Sequence, residues 1–565
     1  MKRSLHIIFV PVFFTALVSG QIPLERMNRT GSDPYELGVS TSFFASKGGS
    51  AAAAEIQPPN EREKKRILSD LAEAMAIIRS NHVGGRAIDL NALTKSSIEG
   101  ALQTLDPHSS YFDADEYGEF LSEEQSEYSG IGATIGGFWR GGQFDTYVTS
   151  TVAGSPAALA KLSFGDRIVK VNGESCAGRG TDDVRDAVRG AAGSILALTV
   201  ERAATGQMET ISIRRRIVPQ PSIRDSFLLP GSIGYIAMTE GFNYTTANEL
   251  DAARRQLHRQ GAKGLVIDLR ENPGGILEQA VRVAERFLPA GSVILTQRGR
   301  SKFDNRVWKS SNKTPETMPL VLLVNENSAS ASEILAGALQ DHDRALIVGS
   351  RTFGKGLVQS LFDGPERTGL TLTTARYYTP SGRSIQRDYS DASLYDYYNH
   401  RIAETSLKRT EARTSANRPV FGGDGIEPDI AIASHQMNKV ERNLDDAVFF
   451  FTRDLVNGRL NSKLSTGMNI VRTGFSDNAD STLNAQLVTE FERYVKSGSD
   501  TSLASVDLST EQSFISARID FYLTLARKGD ASANRLAVSN DLPVLKALSG
   551  LPKARELALA SLNTH

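Results

Sequence analysis

The stretch of sequence that decides the fold covers residues 321–359 and reads VLLVNENSASASEILAGALQDHDRALIVGSRTFGKGLVQ. Nearly continuous apolar residues at 318–325 predict a buried strand. Residues 330–340 carry apolar side chains on one side at helical spacing, and a short apolar run at 345–349 predicts a second strand. A strand, a helix and a second strand in this order are typical of the βαβ unit of a parallel sheet.

Three serines lie at the turn between the first strand and the helix, and a lysine lies between two glycines beyond the second strand. The serines are Ser328, Ser330 and Ser332, and the lysine is Lys355. A serine at the start of a helix, beside a lysine on a neighbouring loop, can serve as nucleophile and base. The alternative is structural, because Ser330 and Glu333 have the spacing of a capping box. An isolated Gly-Lys-Gly is likewise more often a turn than an active site.

The order of these motifs resembles that of the C-terminal processing peptidases, also called tail-specific proteases. N-x-N-S-A-S-A-S-E followed by F-G-K-G-x-V-Q looks like the core of that family, and the resemblance extends over residues 60–430. It implies that Ser330 is the nucleophile, that Lys355 is the base, and that Gln359 holds the lysine. To act as a base, Lys355 must be desolvated, because burial lowers the pKa of an amine.

The resemblance also implies the fold class. We expect an α/β multidomain protein with a βαβ-based, crotonase-like protease core and an inserted PDZ domain. A helical segment is expected at 60–127, the PDZ domain at 128–217 and the core at 218–432. Residues 433–565 lie beyond the resemblance, and their own sequence pattern predicts a helical C-terminal domain. Within the core, the polar residues 387–423 form an insertion longer than expected, which we interpret as a surface flap.

A second glycine-rich turn precedes the serine turn. An apolar run at 264–269 predicts a buried strand, residues 270–275 read RENPGG, and residues 276–288 predict an amphipathic helix. Backbone N–H groups at such a turn suit a developing oxyanion, although an isolated P-G-G is by default a cap or a tight turn. The resemblance implies that Gly274 or Gly275, together with Ala331, forms an oxyanion hole.

Short β-type runs divided by turns fill the segment expected to be the PDZ domain. The resemblance implies that backbone N–H groups of Gly130, Ile131, Gly132 and Ala133 receive the terminal carboxylate of a peptide, which would add as a strand. The family usually has Gly-x-x-Pro-Gly-Asp where residues 162–166 read LSFGD, and we expect this departure to alter the turn more than the binding. An ordinary small β domain with glycine turns is the alternative.

Composition and charge favour a soluble globular protein of several domains. Of 565 residues, 40% are hydrophobic and 23% charged, and the net charge of −1 gives no attraction to nucleic acid. The single cysteine, Cys176, excludes an internal disulfide. The eight histidines form no H-E-x-x-H motif and no Cys/His cluster, so we expect no metal and no cofactor.

The first residues have the pattern of a secretory signal. Lys2 and Arg3 precede an apolar run at 7–18 that ends in small residues, which predicts a signal peptide over 1–20. The run is too short to span a bilayer comfortably. Residues 21–59 are rich in Gly, Ser and Ala and predict a linker. We therefore expect an exported protein of the periplasm or another extracytoplasmic space.

A turn within the N-terminal helical segment carries a further match to the family. Residues 105–109 read LDPHS, which taken alone is a turn containing a proline. The family has the same residues ahead of its PDZ domain. We expect His108 to be structural rather than a catalytic base.

Together these patterns predict an exported serine endopeptidase. It would bind protein or peptide substrates by their C-terminus and cleave peptide bonds upstream. A catalytically idle PDZ scaffold for peptide binding is the first alternative, and an acyl-transferring or hydrolytic enzyme on a related βα fold is the second. A homo-oligomer formed through the C-terminal helices, and an adaptor protein, remain open as partners.

Overall fold

The computed structural model of the protein describes residues 60–124, 127–389, 397–398, 409–433, 435–460, 481–497, 503 and 506–563. The predicted signal peptide, 1–20, and the predicted linker, 21–59, lie outside these residues. Among the helices in the described ranges, none combines the length and hydropathy that a membrane span requires.

Three helices and a short strand form the N-terminal segment. They are α1 (Glu61–Asn81), α2 (Leu90–Gln103), β1 (Ser110–Phe112) and α3 (Ala114–Glu124). Helix α1 begins at a capping box, in which Asn60 and Glu63 each accept the backbone N–H of the other. Its apolar stripe reaches no core, since no residue of α1 is buried. The predicted break at LDPHS is confirmed, because α2 ends at Gln103 and no helix resumes before Ala114.

A small antiparallel β domain follows. Its elements are β2 (Glu127–Gly130), β3 (Ala133–Arg140), β4 (Gln143–Thr151), α4 (Pro156–Leu159), β5 (Arg167–Val171), β6 (Glu174–Ser175), α5 (Thr181–Val188), β7 (Ile195–Glu201), β8 (Met208–Arg214) and β9 (Arg216–Pro219). The sheet order is β3-β4-β5-β7-β8, with β6 on β5. Strand β3 is therefore an edge strand, and α5 contacts it. A ribbon of β2 and β9 joins this domain to its neighbours in the chain.

The central domain contains the stretch that decides the fold. Its elements are β10 (Asp225–Leu229), β11 (Ile233–Ala237), α6 (Thr246–Arg259), β12 (Gly264–Asp268), α7 (Leu277–Glu285), β13 (Val293–Gly299), β14 (Arg306–Lys309), β15 (Leu320–Val324), α8 (Ala331–Asp341), β16 (Leu346–Gly349), β17 (Leu357–Asp363), β18 (Gly369–Tyr378), β19 (Thr410–Arg413), β20 (Pro419–Gly422) and β21 (Ile430–Ala431). The predicted βαβ unit is confirmed, because β15 and β16 pair in parallel on either side of α8.

The main sheet of the central domain has the order β10-β11-β12-β15-β16-β21. All its neighbours are parallel except β10 and β11. A second sheet has the order β1-β18-β13-β14, with β17 also paired to β18. Because β12 and β15 are adjacent and parallel, the turns that follow them emerge side by side at the carboxyl edge of the sheet.

In the ranges that the structure describes, five helices follow the central domain. They are α9 (Lys439–Val456), α10 (Ser481–Ser497), α11 (Gln512–Lys528), α12 (Asp530–Ser539) and α13 (Leu542–Asn563). Helices α9, α10 and α11 share an apolar cluster with the β domain, in which the ring of Phe138 stacks on Phe449 with 3.6 Å between centroids. The buried Arg453 donates from Nε to the carbonyl of Gly165 at 2.6 Å. The helices therefore cover one face of the β domain.

Helix α13 has a different role, because it packs on the main sheet. One face of that sheet is covered by α6, α7 and α8, whose apolar side chains form the largest core. The opposite face presents Val321, Leu323 and Val348, which contact Val544 and Ala547 of α13 within one buried cluster. The central domain is thus three layers, helix on sheet on helix, and its third layer comes from the C-terminal helical segment.

Candidate active site

The P-G-G turn after β12 and the serine turn after β15 are joined by direct hydrogen bonds. The carbonyl of Asn272 accepts the N–H of Ala329 and the hydroxyl of Ser332, each at 3.0 Å. The hydroxyl of Ser328 donates to the carbonyl of Leu269 at 2.7 Å. Ser328 and Ser332 are both completely buried and engaged in holding the two turns together. Their hydroxyls are therefore structural groups in this arrangement.

Ser330 differs from the other two serines in its backbone and in its side chain. Its φ is 52° and its ψ is −111°, a conformation that is strained for any residue other than glycine. Its side chain makes no capping hydrogen bond to the first turn of α8. Only the reciprocal half of the predicted box is present, in which the Glu333 carboxylate accepts the Ser330 N–H at 2.8 Å. A capping role therefore does not explain the Ser330 hydroxyl.

Glu333 connects the serine turn to the lysine loop. Its fully buried carboxylate accepts four hydrogen bonds: from the N–H of Ser330 and of Lys355 on one oxygen, at 2.8 and 2.9 Å, and from the Thr352 hydroxyl and the Gly354 N–H on the other, at 2.5 and 2.7 Å. Burial raises the pKa of this carboxyl to about 7, although the four donors oppose the shift. The carboxylate is thus the common anchor of both segments.

Lys355 is almost completely buried, which is the condition that a base requires. Its neighbours in sequence, Phe353, Leu357 and Val358, are also buried. Burial lowers the pKa of Lys355 to about 7, and the negative charges of Asp106 and Glu333 oppose the shift. Near pH 7 roughly half of the molecules therefore hold a neutral amine.

Tyr377 provides a second connection between the serine and the lysine. Its hydroxyl oxygen lies 2.6 Å from the carbonyl oxygen of Lys355 and 3.0 Å from that of Ser330. The hydroxyl has a single proton, so the two carbonyls share it. Ser330 and Lys355 are therefore joined through their N–H groups by Glu333 and through their carbonyls by Tyr377.

Gln359 occupies the strand that begins just after Lys355. It is almost completely buried in β17, next to a bulge between Val358 and Gln359. Its contact with the lysine stays a prediction.

The P-G-G turn lies directly against Ser330. A β-carbon at Gly274 would lie 2.8 Å from Cβ of Ser330 and 2.9 Å from the backbone nitrogen of Ala331, so only glycine fits there. The Gly274 N–H donates to Oδ1 of Asn272 at 2.9 Å. Within the described residues, no hydrogen bond uses the N–H of Gly275 or of Ala331. Two backbone donors are therefore available beside the serine.

The predicted peptide-binding loop, Gly130 to Ala133, is in the β domain and is separate from the serine turn. Its carbonyls are engaged: that of Ile131 accepts the Ala157 N–H at 2.8 Å, and that of Gly132 accepts the Val152 N–H at 2.9 Å. A β-carbon at Gly132 would lie 2.4 Å from Cβ of Ser155, and its φ of 72° also requires glycine. In the described part of the chain, the N–H groups of Ile131 and Gly132 donate to no acceptor. The loop leads into the edge strand β3.

Two features of the site are not evident from sequence reasoning. Glu333 is interpreted there only as a capping partner, although it is the one charged residue among the apolar residues at the start of α8, which is a signal of a buried role. Tyr377 gives no signal, because an aromatic residue in a strand is ordinary core material. No group of three or more His, Cys, Asp or Glu side chains in the described ranges could hold a metal ion.

Comparisons with known proteins show which families two parts of the chain match. Residues 232–391 match the model of peptidase family S41, and residues 147–202 match that of a PDZ domain. The β domain is therefore a PDZ domain, and the chain is a serine-type peptidase.

The relatives narrow the assignment further. The chain is 36% identical over 342 residues to a carboxy-terminal-processing protease of Bartonella bacilliformis, covering 59% of this chain and 76% of the relative. It is 31% identical over 388 residues to the carboxy-terminal processing protease CtpA of Bacillus subtilis, covering 68% and 76%. A solved photosystem II D1 C-terminal processing protease is similar at 28% identity over 60% of this chain and 82% of that one, with a TM-score of 0.34. The chain belongs to the carboxy-terminal processing protease family.

Proposed function

We propose that the protein is an exported endopeptidase that binds the C-terminal end of a protein substrate at its PDZ domain and cleaves peptide bonds upstream with Ser330 and Lys355. The observation that carries the proposal is the shared anchoring of the two residues. One oxygen of the buried Glu333 carboxylate accepts the N–H of both Ser330 and Lys355. Neither a scaffold for peptide binding nor a simple helix cap has a use for a buried lysine held beside a strained serine.

The proposed chemistry needs no group beyond this chain. Neutral Lys355 takes the hydroxyl proton of Ser330 while Oγ attacks the carbonyl carbon of the scissile bond. The resulting ammonium then gives that proton to the leaving amine, and an acyl-enzyme remains. Water attacks the ester carbon, loses a proton to Lys355 and releases the shortened chain, with the proton returned to Ser330 Oγ. Gln359 orients the lysine.

The oxyanion hole is assigned to the backbone N–H groups of Gly275 and Ala331. The Gly274 N–H donates to the Asn272 side chain, whereas those of Gly275 and Ala331 make no hydrogen bond within the described structure. Ala331 is also the first residue of α8, where the helix dipole adds positive potential. Two preorganised donors of this kind stabilise a tetrahedral intermediate more than its carbonyl precursor.

Substrate recognition is assigned to the loop Gly130 to Ala133 and the edge strand β3. The N–H groups of Ile131 and Gly132 suit a terminal carboxylate, because consecutive backbone donors form a nest for an anion. The substrate would continue as an added strand along β3. We place the crotonase-like core at 218–432 and assign export to the leader pattern of residues 1–20, whose Lys2, Arg3 and apolar run support it.

The test compares one protein substrate with a free C-terminus and the same substrate with an amidated C-terminus. Amidation removes the terminal charge, so kcat/KM should fall for the amide form, with mass spectrometry showing cuts upstream of the end. The Ser330→Ala variant should cut neither form and should retain the acid form on affinity capture. Equal rates on the two forms would refute recognition of the C-terminus, and cleavage by Ser330→Ala would refute the proposed nucleophile.

A further inference from the structure

The LDPHS turn lies against the lysine loop. The Asp106 carboxylate shapes the turn by accepting the N–H of His108 and of Ser109 and the hydroxyl of Ser109, each at 2.8 Å. His108 is buried, and its Nε2 lies 2.9 Å from the hydroxyl of Tyr397. Burial, and then the charge of Lys355, lower the pKa of His108 well below its usual value. The turn is therefore close enough to the lysine for the charge of Lys355 to act on His108.

A chain of hydrogen bonds connects His108 to the residue after Lys355. The N–H of Gly356 donates to Oε1 of Gln386 at 2.8 Å. Nε2 of Gln386 donates to the Tyr397 hydroxyl oxygen at 3.2 Å and to the carbonyl of Arg387 at 2.8 Å. Tyr397 then contacts Nε2 of His108. The chain joins three parts of the sequence, which are the turn at His108, the loop at Gly356, and the segment that carries both Gln386 and Tyr397.

The direction of each hydrogen bond follows from the donors available. A backbone N–H can only donate, so the Gln386 oxygen faces Gly356 and its amide hydrogens face Tyr397 and Arg387. The Tyr397 oxygen accepts one of those hydrogens, which leaves its own proton to find an acceptor. Among the residues that the structure describes, the acceptor beside this hydroxyl is Nε2 of His108, at 2.9 Å, and an unsatisfied buried proton is costly. His108 must then be neutral, with its proton on Nδ1.

Tyr397 also braces the other side of the lysine loop. Its side chain is completely buried, and its ring meets that of Phe353 edge-on with 5.5 Å between centroids. Phe353 precedes Lys355 by two residues, and Gly356 follows it. Tyr397 therefore contacts the loop at Phe353, before the lysine. It is also connected through Gln386 to Gly356, after the lysine. Tyr397 belongs to the predicted surface flap, 387–423, and its side chain is completely buried, so that interpretation is wrong for this residue.

We propose that Tyr397 is a positioning residue for the lysine: its hydroxyl fixes His108 as the neutral Nδ1–H tautomer and, through Gln386 and Gly356, holds the Lys355 loop in place. The effect on turnover rests on the proposed Ser330–Lys355 pair, whereas the tautomer of His108 does not. This assignment gives a role to the LDPHS motif and to Gln386, both of which the proposed chemistry leaves unused.

The kinetic test is Tyr397→Phe, which removes one hydroxyl and keeps the ring. The matched control is Tyr389→Phe, because Tyr389 comes from the same segment, packs its ring on Tyr397 at 5.8 Å, and has no hydrogen bond to His108. Loss of one buried hydrogen bond should lower kcat roughly three- to tenfold. KM should not change, since no hydrogen bond or ring contact within the described structure joins Tyr397 to the peptide-binding loop. The control should match the unaltered protein.

The second measurement is the tautomer of His108 in the unaltered protein, from nitrogen NMR of a sample labelled at histidine. His108→Gln identifies the signal. A proton on Nδ1 supports the proposal, and its loss or averaging in Tyr397→Phe supports it further. A proton on Nε2 would overturn the proposal even if Tyr397→Phe failed to fold, and so would equal kcat values for the two tyrosine variants. Activity in Lys355→Ala would instead refute the proposed pair and leave the tautomer result standing.

Discussion

Glu333 accepts a hydrogen bond from the backbone N–H of Lys355 at 2.9 Å, although most of α8 and the whole of β16 separate the two residues in sequence. The same carboxylate oxygen accepts the N–H of Ser330. A single buried acid thus sets the spacing between two backbone segments whose side chains are proposed to react with a substrate. Four donors on two oxygens leave almost no acceptor capacity of the carboxylate unused.

Glu333→Gln should therefore damage both stability and activity. An amide has one acceptor oxygen, and its NH₂ group would face two of the present donors. We expect the free energy of unfolding to fall by about 2–4 kcal/mol, because buried donors are left unsatisfied. Activity should fall at least about tenfold even where the variant is folded, since the two segments lose their common anchor. Denaturant unfolding and peptide cleavage measure the two effects, and full activity would contradict the anchoring role.

Substitution of the three serines by alanine should affect activity and stability differently, because their hydroxyls have different roles. Ser330→Ala should abolish cleavage and change the free energy of unfolding by no more than about 1–2 kcal/mol, since its hydroxyl makes no capping hydrogen bond. Ser328→Ala and Ser332→Ala should destabilise the protein by about 1 kcal/mol or more, because each removes a buried hydrogen bond. Both should keep measurable activity. If Ser330→Ala is active and a folded Ser328→Ala or Ser332→Ala is inactive, the nucleophile is not Ser330 but the serine whose loss abolishes cleavage.

The rate of cleavage should depend on pH through Lys355. Its pKa is lowered to about 7 by burial, so the neutral base accumulates as pH rises. We expect kcat/KM on a short peptide to rise about tenfold between about pH 6 and pH 8 and then to level. Lys355→Arg should be inactive throughout, because a guanidinium stays protonated. Circular dichroism at each pH serves as the folding control, and a flat profile would show that Lys355 is not the base.

Helix α13 should be essential to the central domain. Ala547 is completely buried against the main sheet, whereas Leu545 on the same helix is 47% exposed. Ala547→Asp places an unpaired charge in the core and should lower the free energy of unfolding by about 3 kcal/mol or more. The matched Leu545→Asp should change it by about 0.5 kcal/mol or less. Thermal unfolding compares the two, and equal effects would mean that α13 is not a structural layer.

Much of the fold follows from local patterns. The continuous apolar run of β15 and the helical spacing of α8 predict the βαβ unit because a doubly covered strand must be apolar on both faces. The antiparallel strands and turns of the PDZ domain are predicted for a similar local reason. The packing of one element on another does not follow from local patterns. The apolar stripe of α1 predicts a helix, but no residue of α1 is buried, whereas the apolar side chains of α13 pack on the main sheet. Amphipathicity identifies a face and does not identify its partner.

At the site, too, the residues can be predicted from the sequence, whereas the contacts that connect them cannot. Ser330, Lys355 and Gln359 are proposed from the resemblance to the protease family, and the structure places the first two on one anchor. The connections through Glu333, Tyr377 and Tyr397 depend on contacts between segments far apart in the chain, which no local pattern encodes. Tyr397 is the clearest case, because its polar, tyrosine-rich surroundings in sequence predict a surface segment and its side chain is completely buried.

The position of α13 in the chain has a consequence for biosynthesis. The strands that flank the serine turn end at Val324 and Gly349, whereas the helix that covers their outer face begins only at Leu542. Until that helix has been made, Val321, Leu323 and Val348 have no cover on that face of the sheet. We therefore expect the main sheet, and with it the turn at Ser330, to reach its final packing only after the C-terminal helix has been synthesised.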